Sequence, residues 1–194
     1  LDTLSLINIH KDAFSSGQIG SKIWLCNALE TIFGPYEQNI WILGGWYGLS
    51  AFLLLSRGII PVNSIRSFDK DPACETVADS LCNYWVWQNW KFKAFTADCN
   101  ELDYTNNCYG TVPSLVINTS CEHFDSLKWY ENIPYGTKVA LQSNNMMHDD
   151  HCCNFESIDQ MQEYYKFSKV LFTGTKDFEY PDWSFQRFMI LGIR

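Results

Sequence analysis

The chain has 194 residues, enough for one domain with a full core, and its 46% hydrophobic and 19% charged residues exclude a disordered chain. Aromatic residues reach 16%, which leaves rings for a pocket or an interface once a core is filled. The net charge of −8 argues against broad, sequence-independent nucleic-acid binding, which needs cationic surface to displace counterions.

In chain order, a helical region is expected from Asp12 to Phe33, with Ser15-Ser16-Gly17-Gln18 as its start or a break and Gly34-Pro35 as its stop. A buried strand follows at Asn39–Leu43, then a glycine turn, Gly44-Gly45-Trp46-Tyr47-Gly48, and an apolar helix from Leu49 capped by Gly58. Ser64–Phe68 is a second strand. Asp71-Pro72 opens a helix running to Trp87, because aspartate caps and proline suits the first turn. Its inner face is expected to carry Val77, Leu81, Tyr84 and Trp85. Further strands are expected at Lys91–Thr96, Ser114–Ile117 and Lys138–Gln142, then a helix at Ser157–Tyr165. Val170–Lys176 and Phe185–Ile193 close the chain as a strand pair joined by a loop containing Pro181.

Strands alternating with helices predict an α/β fold: a doubly wound, Rossmann-like, mostly parallel sheet of about seven strands with an antiparallel hairpin at the C-terminus. One domain is expected over 1–194, an N-terminal helical segment (1–38) leading into the core (39–194). The run Ile40–Leu55 is too short and too glycine-rich for a membrane span. The N-terminus has no basic–apolar–small-residue leader pattern. Eight cysteines without a CxxC, several inside predicted core elements, read as reduced thiols of a cytoplasmic protein.

A strand that ends in glycines and opens a helix offers free N–H groups and bare backbone to a nucleotide-like ligand. Asp69 ends the second strand about 20 residues later, where a carboxylate accepts hydrogen bonds from ribose hydroxyls. An adenosine-containing cofactor follows from this pair. In a doubly wound sheet the carboxyl ends of successive strands share one edge, so Asp98 and Asn118 fall into the same crevice. The plainer role for either aspartate alone is a helix cap.

This layout resembles the class I S-adenosylmethionine-dependent methyltransferases over roughly Asn39 to Arg194. It also resembles small methyltransferase-like proteins of bacteriophage type, which would place it in a host cytoplasm. The resemblance implies S-adenosylmethionine as cofactor, with Gly44, Gly45, Trp46, Tyr47 and Gly48 at its methionine part. It implies Asp69 with Lys70 at the ribose, Asp98 with Cys99 at the adenine, and Asn118 at the reaction centre. The sequence departs from the family where Leu43 stands in place of an acidic residue before the glycines. The amino group of the cofactor then needs another partner, such as backbone carbonyls or a residue among Ser15–Gln18 and Ser21-Lys22.

Asn118-Thr119-Ser120-Cys121-Glu122-His123 places an amide, two hydroxyls, a thiol, a carboxylate and an imidazole directly after a buried strand. Asn118 is the residue to orient an acceptor, Glu122 to hold a cationic nitrogen or act as base, and His123 to deprotonate a hydroxyl or ammonium. The alternative is a helix start capped by Thr119 or Ser120. Cys121 reads as a buried, inert thiol. The motif differs from the Asn-Pro-Pro-Tyr signature of adenine and glutamine amide methyltransferases.

His148-Asp149-Asp150-His151-Cys152-Cys153 has metal-ligand residue types, but the spacing is too compact for four ligands and no matching Cys/His pair lies elsewhere, so no metal is assigned. A flexible loop covering the substrate is expected there, with Gln142, Asn144, Asn145, Met146 and Met147 shaping the acceptor pocket. Trp85, Trp87 and Trp90 are expected in the core. The reading is methyl transfer to nitrogen or oxygen of an unidentified small or macromolecular acceptor. Its competitors are a nicotinamide-dependent oxidoreductase, an enzyme that cleaves S-adenosylmethionine, and a non-catalytic protein-binding module.

Overall fold

The computed structural model describes residues 9–194. A 3₁₀ turn, Lys11–Phe14, precedes α1 (Ser16–Phe33), and Ser15 separates them by capping the helix: its Oγ accepts the Gln18 N–H at 3.3 Å. Then come β1 (Gln38–Leu43), α2 (Leu49–Arg57), β2 (Val62–Asp69), α3 (Pro72–Leu81), α4 (Asn83–Trp87), β3 (Phe92–Thr96) and β4 (Leu115–Asn118). The chain finishes with α5 (Lys128–Glu131), β5 (Lys138–Asn144), α6 (Ile158–Tyr164), β6 (Lys169–Tyr180) and β7 (Trp183–Ile193).

The seven strands form one sheet in the order β3-β2-β1-β4-β5-β7-β6. β1 to β5 are parallel, while β7 runs antiparallel to both β5 and β6. The expected doubly wound sheet with an antiparallel C-terminal hairpin is therefore present. Both faces are covered. Ile40 and Ile42 pack under α1 and α2 with Leu25, Leu29, Ala51 and Leu54. Trp41 and Leu43, at the alternate positions of the same strand, pack on the other face with Tyr104, Trp129, Met161 and Tyr165. A strand buried on both sides reads as continuous apolar sequence, which is why β1 has no polar alternation.

The helix from Pro72 and the C-terminal hairpin differ from expectation. The helix from Pro72 does not run to Trp87; it ends at Cys82, whose backbone (φ −99°, ψ 19°) leaves helical geometry before α4 begins. The break resets the helical phase, so Val77 is buried but Tyr84 is 67% exposed. Trp87 (83%) and Trp90 (52%) are likewise on the surface, and Trp85 is only partly buried against the core. The expected core role of these tryptophans is thus wrong for two of the three. The hairpin is also longer than expected: β6 and β7 continue to Tyr180 and Trp183 around a turn at Pro181-Asp182. The extension is held by cross-strand aromatic pairs, Phe178 stacked on Phe185 at 5.1 Å and Tyr180 on Trp183 at 4.4 Å. Gly17 of α1 admits this ladder, since a Cβ there would come 2.7 Å from the Tyr180 hydroxyl.

No helix among the described residues is long and apolar enough to cross a membrane, and all eight cysteines are free.

Candidate functional site

The carboxyl ends of β1 to β5 share one sheet edge, and the antiparallel β7 brings its N-terminal half to the same edge. At the end of β1 the chain turns through Gly44 (φ 59°) and Gly48 (φ 78°), both in the left-handed region that favours glycine. Gly45 is required for a different reason: a Cβ there would lie 1.9 Å from Ser67 Oγ on β2. Trp46 takes φ +46°, an unusual angle for a side-chain-bearing residue. Its N–H donates to Asp69 Oδ2 at 2.9 Å, and the Asp71 N–H donates to Asp69 Oδ1 at 3.1 Å. Each Asp69 oxygen thus has one N–H donor and a lone pair to spare, since a carboxylate accepts about four bonds.

The Ala97 N–H donates to the Asp69 carbonyl at 2.9 Å, which carries the β2–β3 pairing out to the edge and sets Asp98 beside Asp69. Asp98 is exposed and caps the following 3₁₀ turn by accepting the Asn100 N–H at 2.9 Å. Its side chain serves the cap role and has a second oxygen left for a ligand. At the end of β4, Asn118 is fully buried; its Oδ1 accepts the Ser120 N–H at 2.8 Å, and its Nδ2 has no protein partner. Ser120 reaches back to donate to the Gly44 carbonyl at 3.4 Å, so the β4 loop rests on the glycine turn. Phe124 lies against the same glycine, where a Cβ would meet its ring at 3.1 Å.

Several site expectations are corrected by these positions. Tyr47 does not face a ligand: it is 5% exposed and packs with Ala13, Cys74 and Val77, where its ring anchors the turn to α3. The Cys99 side chain is likewise in the core, below the turn, with its thiol pushed up to about 12 by burial. Lys70 is exposed. Glu122, expected to hold a cationic nitrogen or act as a base, is buried and already paired. It is 3% exposed, and its Oε1 accepts Asn144 Nδ2 at 2.5 Å with Arg187 Nη1 at 3.8 Å. Thr119 and Ser120 make no side-chain cap: Cys121–His123 is a 3₁₀ turn that follows Ser120 without a hydrogen bond from its hydroxyl to the turn's N–H groups. Cys121 is fully buried, and burial drives its thiol well above the ordinary range, as expected for an inert thiol.

The residues that sequence reasoning underplayed form a buried polar cluster next to this edge. Arg187 of β7 sits opposite Asn144 of β5 in the antiparallel register, and its Nη1 also donates to the Thr119 carbonyl at 3.3 Å. Lys22 of α1 is 9% exposed and donates to Gln18 Oε1 at 2.5 Å. Burial, then Arg187, lowers its pKa to about 7, against an opposing pull from Glu122 and Asp12. Lys22 was a candidate for the cofactor's amino group; as a cation or N–H donor beside Arg187 it suits a carboxylate instead. The signal for Arg187 is one charge in an otherwise buried strand, Phe188–Leu191 following it. The loop after β5 turns back over the β4 loop: the N–H groups of Cys152 and Cys153 donate to the Glu122 carbonyl at 2.8 and 3.0 Å. His123 is exposed, and its ring meets that of His151 edge-on at 4.9 Å.

This sheet order, with a glycine turn after β1, an acidic end on β2 and Asp98 just beyond β3, is the Rossmann-like fold seen in class I methyltransferases. Solved structures agree. The chain is similar to the N-methyltransferase NodS of Bradyrhizobium japonicum WM9, in complex with S-adenosyl-L-homocysteine (TM-score 0.67, 9% identity, 92% of this chain and 88% of that one). It is similar to magnesium protoporphyrin IX methyltransferase (ChlM) of Synechocystis PCC 6803 with bound S-adenosylmethionine (TM-score 0.64, 11% identity, 96% and 85%). It is also similar to the YcgJ protein of Bacillus subtilis (TM-score 0.63, 12% identity, 90% and 98%). No family model matches the sequence, and no curated protein matches it either.

The residues present fit an adenosyl cofactor. The turn is bare of side chains at Gly44 and Gly45, Asp69 and Asp98 keep acceptor capacity at the edge, and Asn118 Nδ2 is a buried donor without a partner.

Proposed function

We propose that this chain is a class I methyltransferase that uses S-adenosylmethionine and transfers its methyl group to a nitrogen or oxygen of an acceptor still to be identified. The carrying observation is the lock between Asp69 and the Trp46 N–H, which fixes a ribose-type acceptor beside the glycine turn. The cofactor supplies an electrophilic methyl on a sulfonium, so the protein's task is to position a nucleophile in line and manage its proton. Asp69 holds ribose hydroxyls, Asp98 accepts from the adenine amine, and Asn118 Nδ2 donates toward the reaction centre. Lys22 and Arg187 provide positive charge for a carboxylate. His123 takes a proton from the acceptor in this reading, which its exposure beside the loop 145–153 supports.

A cytoplasmic setting, the host's cytoplasm for a viral chain, suits the free thiols. The acidic charge favours a small molecule or protein acceptor over nucleic acid.

Calorimetric titration with S-adenosylmethionine and S-adenosylhomocysteine, with NADPH as control, tests the reading. Micromolar binding of the adenosyl pair alone supports it. Binding of NADPH alone would move the chain to the oxidoreductases, and binding of nothing would leave a protein-binding module. With an acceptor in hand, His123→Ala should spare cofactor affinity and cut turnover; an equally active variant removes His123 as base.

A further inference from the structure

Glu122 and His123 come from the turn after β4, and His151 from the loop after β5. The tertiary fold brings one ligand-type atom from each to within 4.8 Å of the others. The buried Glu122 carboxylate is half used. Asn144 and Arg187 engage Oε1, whereas Oε2 is buried with no hydrogen-bond partner. An unpartnered, buried carboxylate oxygen is costly unless something positive completes it.

The two imidazoles are oriented by their other nitrogens. His123 Nδ1 lies 3.1 Å from the Asp150 carbonyl, and His151 Nδ1 lies 2.8 Å from the Met146 carbonyl. A carbonyl only accepts, so each Nδ1 carries a proton and donates it, and in the neutral ring Nε2 is then the nitrogen with the lone pair. A backbone carbonyl fixing the far nitrogen is how proteins hold histidines that ligate metals through Nε2.

We propose that Glu122, His123 and His151 form a site for a first-row divalent cation of the zinc, cobalt or iron(II) type. Two imidazoles and one carboxylate suit such borderline ions and leave coordination positions open. With bonds of about 2.1 Å, ligand atoms of one ion lie no more than about 4 Å apart. Binding of an ion would draw the three atoms together from their present spacing of within 4.8 Å. The loop motif His148–Cys153 does not make the site by itself; it contributes one ligand to a pair presented by β4. The ion site stands without the methyl-transfer reading. Its role, holding an acceptor oxygen in an open position, rests on that reading and replaces the proton-accepting role of His123 there, since a ring ligating through Nε2 and donating from Nδ1 has no lone pair left.

The test uses the full chain, stripped with chelator and titrated with Zn²⁺ by calorimetry and with Co²⁺ by visible absorption. One ion per chain is expected, with a Co²⁺ spectrum lacking a thiolate charge-transfer band. His123→Ala and His151→Ala should each weaken binding by about tenfold or more, with an unchanged circular dichroism spectrum. His148→Ala should leave affinity within about twofold, as expected for a residue outside the ligand set. No stoichiometric binding overturns the site. So does affinity unmoved in both alanine variants, or a thiolate band, which would assign the ion to Cys152 or Cys153. S-adenosylmethionine is titrated into the metal-free protein in parallel. Failure there with a bound ion sinks only the methyl-transfer reading; the reverse outcome sinks only the metal site.

Discussion

The Asp69 carboxylate accepts the Trp46 N–H at 2.9 Å, joining the end of β2 to a glycine turn 23 residues earlier in the chain. The bond holds Trp46 at its positive φ and aims the rest of the carboxylate along the sheet edge. Asp69→Ala should therefore lose S-adenosylmethionine affinity by about tenfold or more and destabilise the fold by about 1–3 kcal/mol, because the hydrogen-bonded carboxylate is lost. Asp69→Asn should recover only part of the stability, since its amide oxygen still accepts from Trp46 while its NH2 cannot accept from Asp71, and it should not recover the affinity. Calorimetry and urea unfolding read the two effects separately, and unchanged affinity in both variants would remove Asp69 from the cofactor site.

Gly45 and Ser67 make a steric pair that can be tested without any ligand. A Cβ at Gly45 would overlap Ser67 Oγ at 1.9 Å but would sit 3.3 Å from Ser67 Cβ. Gly45→Ala should cost about 1–3 kcal/mol as an overpacked contact. Adding Ser67→Ala removes the clashing oxygen and should return most of that loss. A double variant no more stable than Gly45→Ala would show that the turn needs glycine for some other reason.

Lys22 sets a pH dependence. In the fold it gives up its proton near pH 7, whereas the unfolded chain keeps it up to about the model-peptide value of 10.5. Between those values the unfolded chain binds more protons, so the contribution of Lys22 to stability rises with pH. Below about pH 7 its destabilising effect is complete. Lys22→Met should raise Tm at pH 6–7 by about 3 °C or more, and the gain over the unsubstituted protein should shrink as pH approaches 9. A constant difference across that range would place the lysine outside the buried cluster.

Arg187 neutralises a buried carboxylate. Arg187→Met leaves Glu122 charged, buried and without its cation, which should cost about 3–5 kcal/mol in urea unfolding. Combining it with Glu122→Gln should recover part of the loss, because the buried charge is gone too. Strict additivity of the two losses would show that the pair does not interact.

Much of the fold was legible because β1 to β5 are short, apolar and punctuated by glycine, proline and capping residues. The meeting of the Gly44-Gly45 turn with Asp69 was legible as well, since glycines after one strand and a carboxylate ending the next fall at one sheet edge. The tryptophans were not. Helical period places Tyr84 inside only if the helix from Pro72 is unbroken, and the backbone at Cys82 breaks it. Tyr47 sits in a glycine turn and so reads as a ligand contact, yet its ring has an apolar cavity beside α3 to fill.

The sequence by itself determined the alternation of strands and helices, the bare turn after β1, and the acidic strand ends that follow it. Those features are local: they depend on period, backbone freedom and side-chain charge within a few residues. Only the tertiary structure decided which distant polar groups share a space. The antiparallel insertion of β7 beside β5 sets Arg187 opposite Asn144, α1 delivers Lys22 to the same cluster, and the loop after β5 folds His151 against Glu122 and His123. No spacing along the chain encodes those meetings. They follow from strand order and from the need to cover both faces of one sheet.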